Sequence, residues 1–369
     1  MSDTDIYRIA FASIRGMHAG LASQLLEVVG SERAFFEMSE SELRQATGGG
    51  RSKVYTSFYR SQQLERARHE AEFVESKGIH LLFHTDPSYP RRLLQADDAP
   101  CLLYAFGQCD LESAHVVSVV GTRHATAYGK SWTDTFVGDL VARLPDVVIV
   151  SGLAYGIDIA AHRACLRHGA TTVAVMARGL DKIYPATHRK DAADIIRHGG
   201  MALTEYQTTD QIHRSNFLAR NRIIAGLSDC TVVVESATTG GALVTASLAQ
   251  SYNRDVMAVP GRVGDEFSKG CNMLIRTNRA MALTCADELI EAMRWDADAK
   301  PAGRQLELFP ELTADQQKVT DLLRGRGDMH INDIAEATGV PIYRIMSTLV
   351  ELDCKGIVLT MPGCRYSLK

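Results

Sequence analysis

Between residues 78 and 296, short apolar runs alternate with longer amphipathic stretches. The runs are Val116–Val120, 147–150, 172–176, Met201–Thr204, 231–234, 256–259 and a weaker one at 281–284. Most are continuously apolar rather than strictly alternating, the pattern of strands covered on both faces. The stretches between most of them are long enough for crossover helices. This predicts an α/β fold: an extended, doubly wound, mostly parallel sheet of the Rossmann-like kind. In such a sheet ligands bind beyond the carboxyl ends of the strands, where the strand order reverses.

The flanks read differently. Leu21, Leu25, Leu26, Val28 and Val29 mark one helical stripe. Ser39 and Glu42 form a capping box, opening a short helix that Gly48, Gly49 and Gly50 close. A longer polar–apolar pattern over 51–76 ends at Lys77-Gly78. Ile14-Arg15-Gly16-Met17-His18 is similar to a helix-hairpin-helix turn, with His18 where a second glycine usually stands. We therefore expect a helical (SAM or helix-hairpin-helix-like) module over 1–76, chiefly a scaffold, and a Rossmann-like domain over 77–296. Residues 297–312, with Pro301-Ala302-Gly303, read as a linker. From Thr313, which caps a helix with Gln316, the pattern is helix, helix, helix and two strands flanking Pro362-Gly363. That predicts a winged helix over 313–369.

The 369 residues suffice for two or three domains, and 46% hydrophobic with 23% charged residues is ordinary for a soluble globular protein. The net charge of −4 means that a polyanion would have to be held by a local patch. The tail brings no such patch. Residues 311–369 hold seven Lys/Arg against eight Asp/Glu, and the candidate recognition helix, Pro341 to Cys354, carries Glu351 and Asp353 beside Arg344. A protein-contact or regulatory role is expected there rather than duplex reading. The acidic start lacks the basic and apolar regions of a secretory leader, and runs such as 172–177 are too short to span a bilayer. We expect a cytoplasmic protein without a membrane partner. Eight scattered cysteines, without Cys-x-x-Cys, point to neither a metal site nor disulfides.

Four segments should meet at the carboxyl edge of the sheet. Ser151-Gly152-Leu153-Ala154-Tyr155-Gly156-Ile157-Asp158 is a small-residue turn between strand and helix, where unpaired N–H groups can receive an anion. It lacks Gly-Lys-Ser/Thr and is not a P-loop. Gly121-Thr122-Arg123 adds a guanidinium fork, Gly240-Gly241 opens another helix, and Arg220-Asn221-Arg222 adds two more guanidinium groups. Together they describe a concave site for an extended anion. Arg178, Arg189 and Lys190 would either extend it or form a solvated face. Tyr155, Tyr184 and Phe217 are open to base stacking or to core packing. Asp158 and His162, spaced i, i+4, suit an acid–base or metal pair, but a loop-holding role is preferred. Glu205 and Glu235 each end a strand and could act as bases or orient arginines, the second being preferred. An enzyme related to nucleotide phosphoribohydrolases, using the 240–245 loop and one of these glutamates, is the alternative.

In order and spacing, Gly121-Thr122-Arg123, Ser151-Gly152-Leu153-Ala154-x-Gly156-Ile157-Asp158-x-x-Ala161-His162, Gly179-Leu180-Asp181-x-x-Tyr184-Pro185, Arg220-Asn221-Arg222-Ile223-Ile224-Ala225-Gly226-Leu227-Ser228 and Val259-Pro260-Gly261 resemble the DNA processing protein DprA (Smf) family. The resemblance is strongest over about 85–296. It departs at Met176-Ala177-Arg178-Gly179, where the family commonly has an apolar-Gly-x-Gly run. It implies a non-enzymatic, cofactor-free protein of natural transformation that binds and shields incoming single-stranded DNA. Such proteins help load the RecA recombinase in place of single-strand-binding protein, and act as homodimers. It implies DNA contact at Gly121, Thr122 and Arg123, at Ser151 and Gly152, at Arg220, Asn221 and Arg222, at Gly240 and Gly241, and at Lys269. Arg178 would add a further phosphate contact.

Overall fold

The computed structural model describes residues 1–49, 52–295, 312–361 and 364–368. The chain forms two compact units, Met1–Asp296 and Ala297–Lys369.

In the first unit nine strands make one sheet in the order β1-β2-β6-β5-β4-β3-β7-β8-β9. They are β1 His80–Phe83, β2 Leu102–Gly107, β3 Val116–Val120, β4 Val148–Ser151, β5 Thr171–Val175, β6 Met201–Thr204, β7 Cys230–Val233, β8 Asp255–Ala258 and β9 Met281–Ala282. From β6 across to β9 all neighbours are parallel. The chain walks outward from β3 through β4, β5 and β6, then returns to place β7 on the other side of β3. Strand order therefore reverses beside β3, and the loops after β3, β4 and β7 flank the reversal. All seven expected strands are present within a residue or two of their expected bounds.

Two strands were not expected. β1 and β2 pair with each other antiparallel, and β2 pairs antiparallel with β6. No crossover helix separates them, and a four-residue apolar run reads equally as a buried helical turn. Their outer face completes a core with the N-terminal helices, in which Ile9, Phe11, Phe35 and Leu43 pack with Phe83, Leu102 and Tyr104. The two faces of the central strands are covered by separate apolar clusters, one containing Leu93, Val150 and Ile224, the other Phe136, Ile149 and Ile157.

The N-terminal helices follow their local signals. Ser39 and Glu42 form the reciprocal capping box, and Gly48, at φ 62°, ends that helix. Gly50 lies outside the described residues. The long helix is Ser57–Lys77, closed by Gly78. At the start of the helix that follows the 14–18 turn, Ala19 N–H donates to Ala99 O at 2.7 Å and Leu21 N–H to His18 Nδ1 at 3.4 Å. These donors are not free for a phosphate.

The second unit has helices Ala314–Arg326, Ile331–Thr338 and Ile342–Cys354 and three strands, β10 Met329–His330, β11 Val358–Met361 and β12 Arg365–Leu368, in the order β10-β12-β11. This is a winged helix. The Pro362-Gly363 turn and nearly all of the expected linker lie outside the described residues. Thr313 and Gln316 form the expected capping box. Along the third helix Ile345, Leu349 and Leu352 fill the core, while Tyr343, Met346 and Val350 stand exposed. Its outer surface mixes these apolar side chains with exposed Arg344, Glu351 and Asp353 and is not basic.

Candidate functional site

The loop after β4 is built around a buried carboxylate. Asp158 lies buried in the first turn of helix Ile157–His168, where the backbone N–H groups of Gly152 and Ala154 favour its charged form. Burial pushes its carboxyl upward, while Arg220, these two N–H groups and Arg123 pull it down. Two N–H groups expected to face an anion thus already bear on a carboxylate of the protein itself. Asp158 has the structural role.

Arg220 completes this arrangement from below. It is 3% exposed. Its Nη1 donates to Gly152 O at 2.6 Å and to Val175 O, and its Nε to Asn221 Oδ1 at 3.2 Å. The carbonyls at the carboxyl ends of β4 and β5 have no further strand to pair with, and a five-donor guanidinium satisfies them. A side chain on Gly152 would overlap that guanidinium. Here the glycine makes room for the arginine.

Four expected contacts thus face the protein rather than the rim. Besides Arg220, Ser151 is buried and its hydroxyl donates to Val119 O at 2.7 Å. Asn221 donates to Gly241 O at 3.4 Å. Arg222 is paired with Glu205 and donates to Asp98 O. The expectation that Arg220 and Arg222 present two grips at the surface is corrected on this ground. Glu205 orients an arginine, as preferred. Glu235 is also engaged: it accepts from Thr126 N–H at 2.9 Å and from the Thr126 hydroxyl at 2.5 Å, at the start of helix Ala127–Arg143.

The rim is carried by other residues. Gly121, Thr122 and Arg123 form a turn pinned from two sides, with Thr122 N–H donating to Glu235 O at 2.6 Å and Ile157 N–H to Thr122 O at 3.2 Å. Arg123 is exposed, makes no ion pair among the described residues, and lies over the Phe217 ring at 5.4 Å. Arg123, Gly152, Arg178, Tyr155, Tyr184 and Phe217 line a pocket of about 50 Å³, with Ile212 on its wall. Arg178 is partly buried and pairs with Asp181 at 3.2 Å. Tyr155 and Tyr184 remain 45% and 46% exposed, which selects a surface role over core packing for both. Tyr184 lies 5.4 Å from Phe217. Small-molecule sites commonly offer roughly 300–1,000 Å³. This one instead offers a cation beside exposed aromatic faces, suited to one phosphate and the face of a base.

On the other side of the 121–124 turn His124 stacks on Phe267 with centroids 6.0 Å apart. A wider, open depression of about 850 Å³ follows, lined by Thr126, Tyr128, Glu235, Pro260, Arg262 and Phe267. Gly240 precedes helix Gly241–Ser251, which has no side-chain cap, so its first N–H groups have no side-chain acceptor. Lys269 is exposed and begins helix Lys269–Arg276, which Gly270 N–H ties to Ser236 O at 2.8 Å. Ile212 was not anticipated. It belongs to no motif, and only the fold brings it to the pocket.

His162 is fully buried. Its Nδ1–H donates to the Thr172 hydroxyl at 2.8 Å, which itself donates to Ile149 O at 2.7 Å. Burial, assisted by Arg220, lowers its pKa from 6.5 to about 3. Below pH 6.5 the unfolded chain takes up a proton that the folded chain refuses. This contribution to stability is complete above that pH and is lost as pH falls toward 3. Between pH 7 and pH 5 the loss should be about 2 kcal/mol, read from denaturant titrations. His162→Leu should lose correspondingly less, and equal losses in both proteins would refute a neutral buried His162.

Residues 80–294 match the family described as DNA recombination-mediator protein A, and residues 306–364 match the DprA winged helix domain. A putative DNA processing protein DprA of Mycobacterium tuberculosis is 34% identical over 340 residues, covering 88% of this chain and 83% of its own. Protein Smf of Escherichia coli is 33% identical over 303 residues, 80% of this chain and 79% of its own. Among solved structures, DNA processing protein A of Streptococcus pneumoniae superposes with a TM-score of 0.64 at 29% identity, covering 79% of this chain and 98% of that one. DNA processing protein A of Helicobacter pylori, described for its single-stranded DNA binding mode, gives 0.53 at 29% identity over 59% of this chain and 96% of that one.

Proposed function

Because this chain belongs to the DNA recombination-mediator protein A family, we propose that it binds single-stranded DNA along the carboxyl edge of its sheet. Through that grip it shields incoming DNA and helps load the RecA recombinase in place of single-strand-binding protein, as a cytoplasmic homodimer without catalytic activity of its own. The observation that carries this reading is Arg123, an exposed cation with no carboxylate partner among the described residues, held over Phe217 beside Tyr155 and Tyr184. A phosphate can meet the guanidinium while a base lies on an aromatic face, without sequence preference. The second depression, the uncapped start of helix Gly241–Ser251 and Lys269 would continue the track. We assign DNA contact to 77–296, with 1–76 and 313–369 as auxiliary modules and 297–312 as their linker. The described helices include none long and apolar enough to cross a membrane. The phosphoribohydrolase alternative needs a carboxylate free to act, whereas Glu205 and Glu235 are both engaged.

Arg123→Ala is the test. Its side chain is exposed, so thermal stability should stay at the wild-type value. Affinity for an oligothymidylate should fall by about tenfold, and the slope of log affinity against log salt by about 0.7, the share of one phosphate on a single strand. Wild-type affinity and slope in this variant would remove Arg123 from the site. Release of free base from a nucleoside monophosphate would favour the enzyme.

A further inference from the structure

Helix Ser57–Lys77 is remote from Arg123 in sequence but grips the segment that builds the pocket's outer wall. Glu70 is buried, and its carboxylate accepts the Thr208 N–H at 2.9 Å and the Thr208 hydroxyl at 2.5 Å. One turn earlier, Arg66 Nη2 reaches Asp210 Oδ1 and Thr209 Oγ1, each at 3.1 Å. Asp210 in turn accepts the Gln207 N–H at 2.9 Å, closing the turn on itself.

That turn presses on the neighbouring loop. A side chain on Gly179 would stand 2.6 Å from Gln207 O and 2.7 Å from Thr208 Cα, so the two backbones are in direct contact. Gly179 lies between Arg178, which lines the pocket, and Leu180, whose side chain packs against both the N-terminal core and the cluster holding Leu153 and Met176. In the other direction the same segment leads to Ile212 and Phe217 on the facing wall.

We propose that the N-terminal helices are part of the frame of the DNA site: Glu70 is a positioning residue that fixes the 207–210 turn and, through Gly179, the placement of Arg178. The inference rests on reading the Arg123 pocket as a single-strand site. Glu70 touches no ligand. It acts by holding backbone that would otherwise be free to withdraw the Arg178 guanidinium.

The full-length chain can be tested by anisotropy with a labelled oligothymidylate over a salt series, well below the unfolding temperature. Thr208→Val keeps the shape but loses the hydroxyl bond, and Thr208→Ser restores it; Glu70→Ala removes the acceptor. Glu70→Ala and Thr208→Val should each weaken binding by about five- to tenfold and lower the salt slope by about 0.7, while Thr208→Ser binds as wild type. In an Arg178→Ala background neither should weaken binding further, because residues acting through one group are non-additive. A lowered unfolding temperature with wild-type affinity and slope would overturn the proposal, as would effects that add to Arg178→Ala. If Arg123→Ala weakens binding while these variants do not, the site stands and this inference falls. If the wild-type chain binds no oligonucleotide, both fall.

Discussion

Arg220→Ala is expected to destabilise the first unit by about 3–5 kcal/mol, the range for removing one partner of a buried charge arrangement. The guanidinium is the main positive charge opposing the burial of Asp158. It also supplies donors to Gly152 O and Val175 O at the ends of β4 and β5. Alanine would leave a buried carboxylate without its main counter-charge and remove the guanidinium donor from two carbonyls. Arg220→Lys should recover part of the loss, since it restores the charge but not a planar fork able to serve both carbonyls and Asn221. Denaturant titrations of the three proteins measure this. A loss below about 1 kcal/mol for alanine would mean that water enters the site and replaces the side chain. Any accompanying fall in DNA affinity would be secondary, through collapse of the 151–156 loop.

Gly156→Ala should be almost as costly, about 3 kcal/mol or more, combining a disfavoured backbone conformation with overpacking. Gly156 has φ 83° and ψ −122°, outside the regions open to L-residues. An added Cβ would overlap Thr122 O and come within 2.7 Å of Arg123 Cα. The loop would have to part from the 121–124 turn, breaking the Ile157 N–H bond to Thr122 O. Since that turn carries Arg123, both the unfolding temperature and the oligonucleotide affinity should fall. An unchanged unfolding temperature would show that the two loops are not locked together.

The two variants separate roles that residue type alone left together. Arg123, Arg220 and Arg222 were equivalent as cations near strand ends. The fold leaves Arg123 exposed, places Arg220 beneath the β4 loop and pairs Arg222 with Glu205. Six of the seven parallel strands were legible because a strand covered on both faces must be apolar throughout, whereas β9 is exposed and shows only as the weaker run at 281–284. Capping boxes at Ser39 and Thr313 were legible because they are contained within four residues. β1 and β2 were not, because β1 pairs antiparallel with β2 and β2 antiparallel with the distant β6, and no crossover pattern announces either.

The sequence by itself determined the layer architecture, the winged helix and the edge of the sheet where the proposed site lies. Periodicity and chain order are enough for those. It also marked 151–158, with Gly152 and Gly156, as a small-residue turn open to a ligand. Only the tertiary structure decided what approaches: the Arg220 side chain at one and the Thr122 carbonyl at the other. The reason is that a small residue records a need for space without recording its occupant, and a charged residue records a charge without recording its partner. Both are settled by groups brought together across the chain, as Glu70 and Thr208 are across 138 positions.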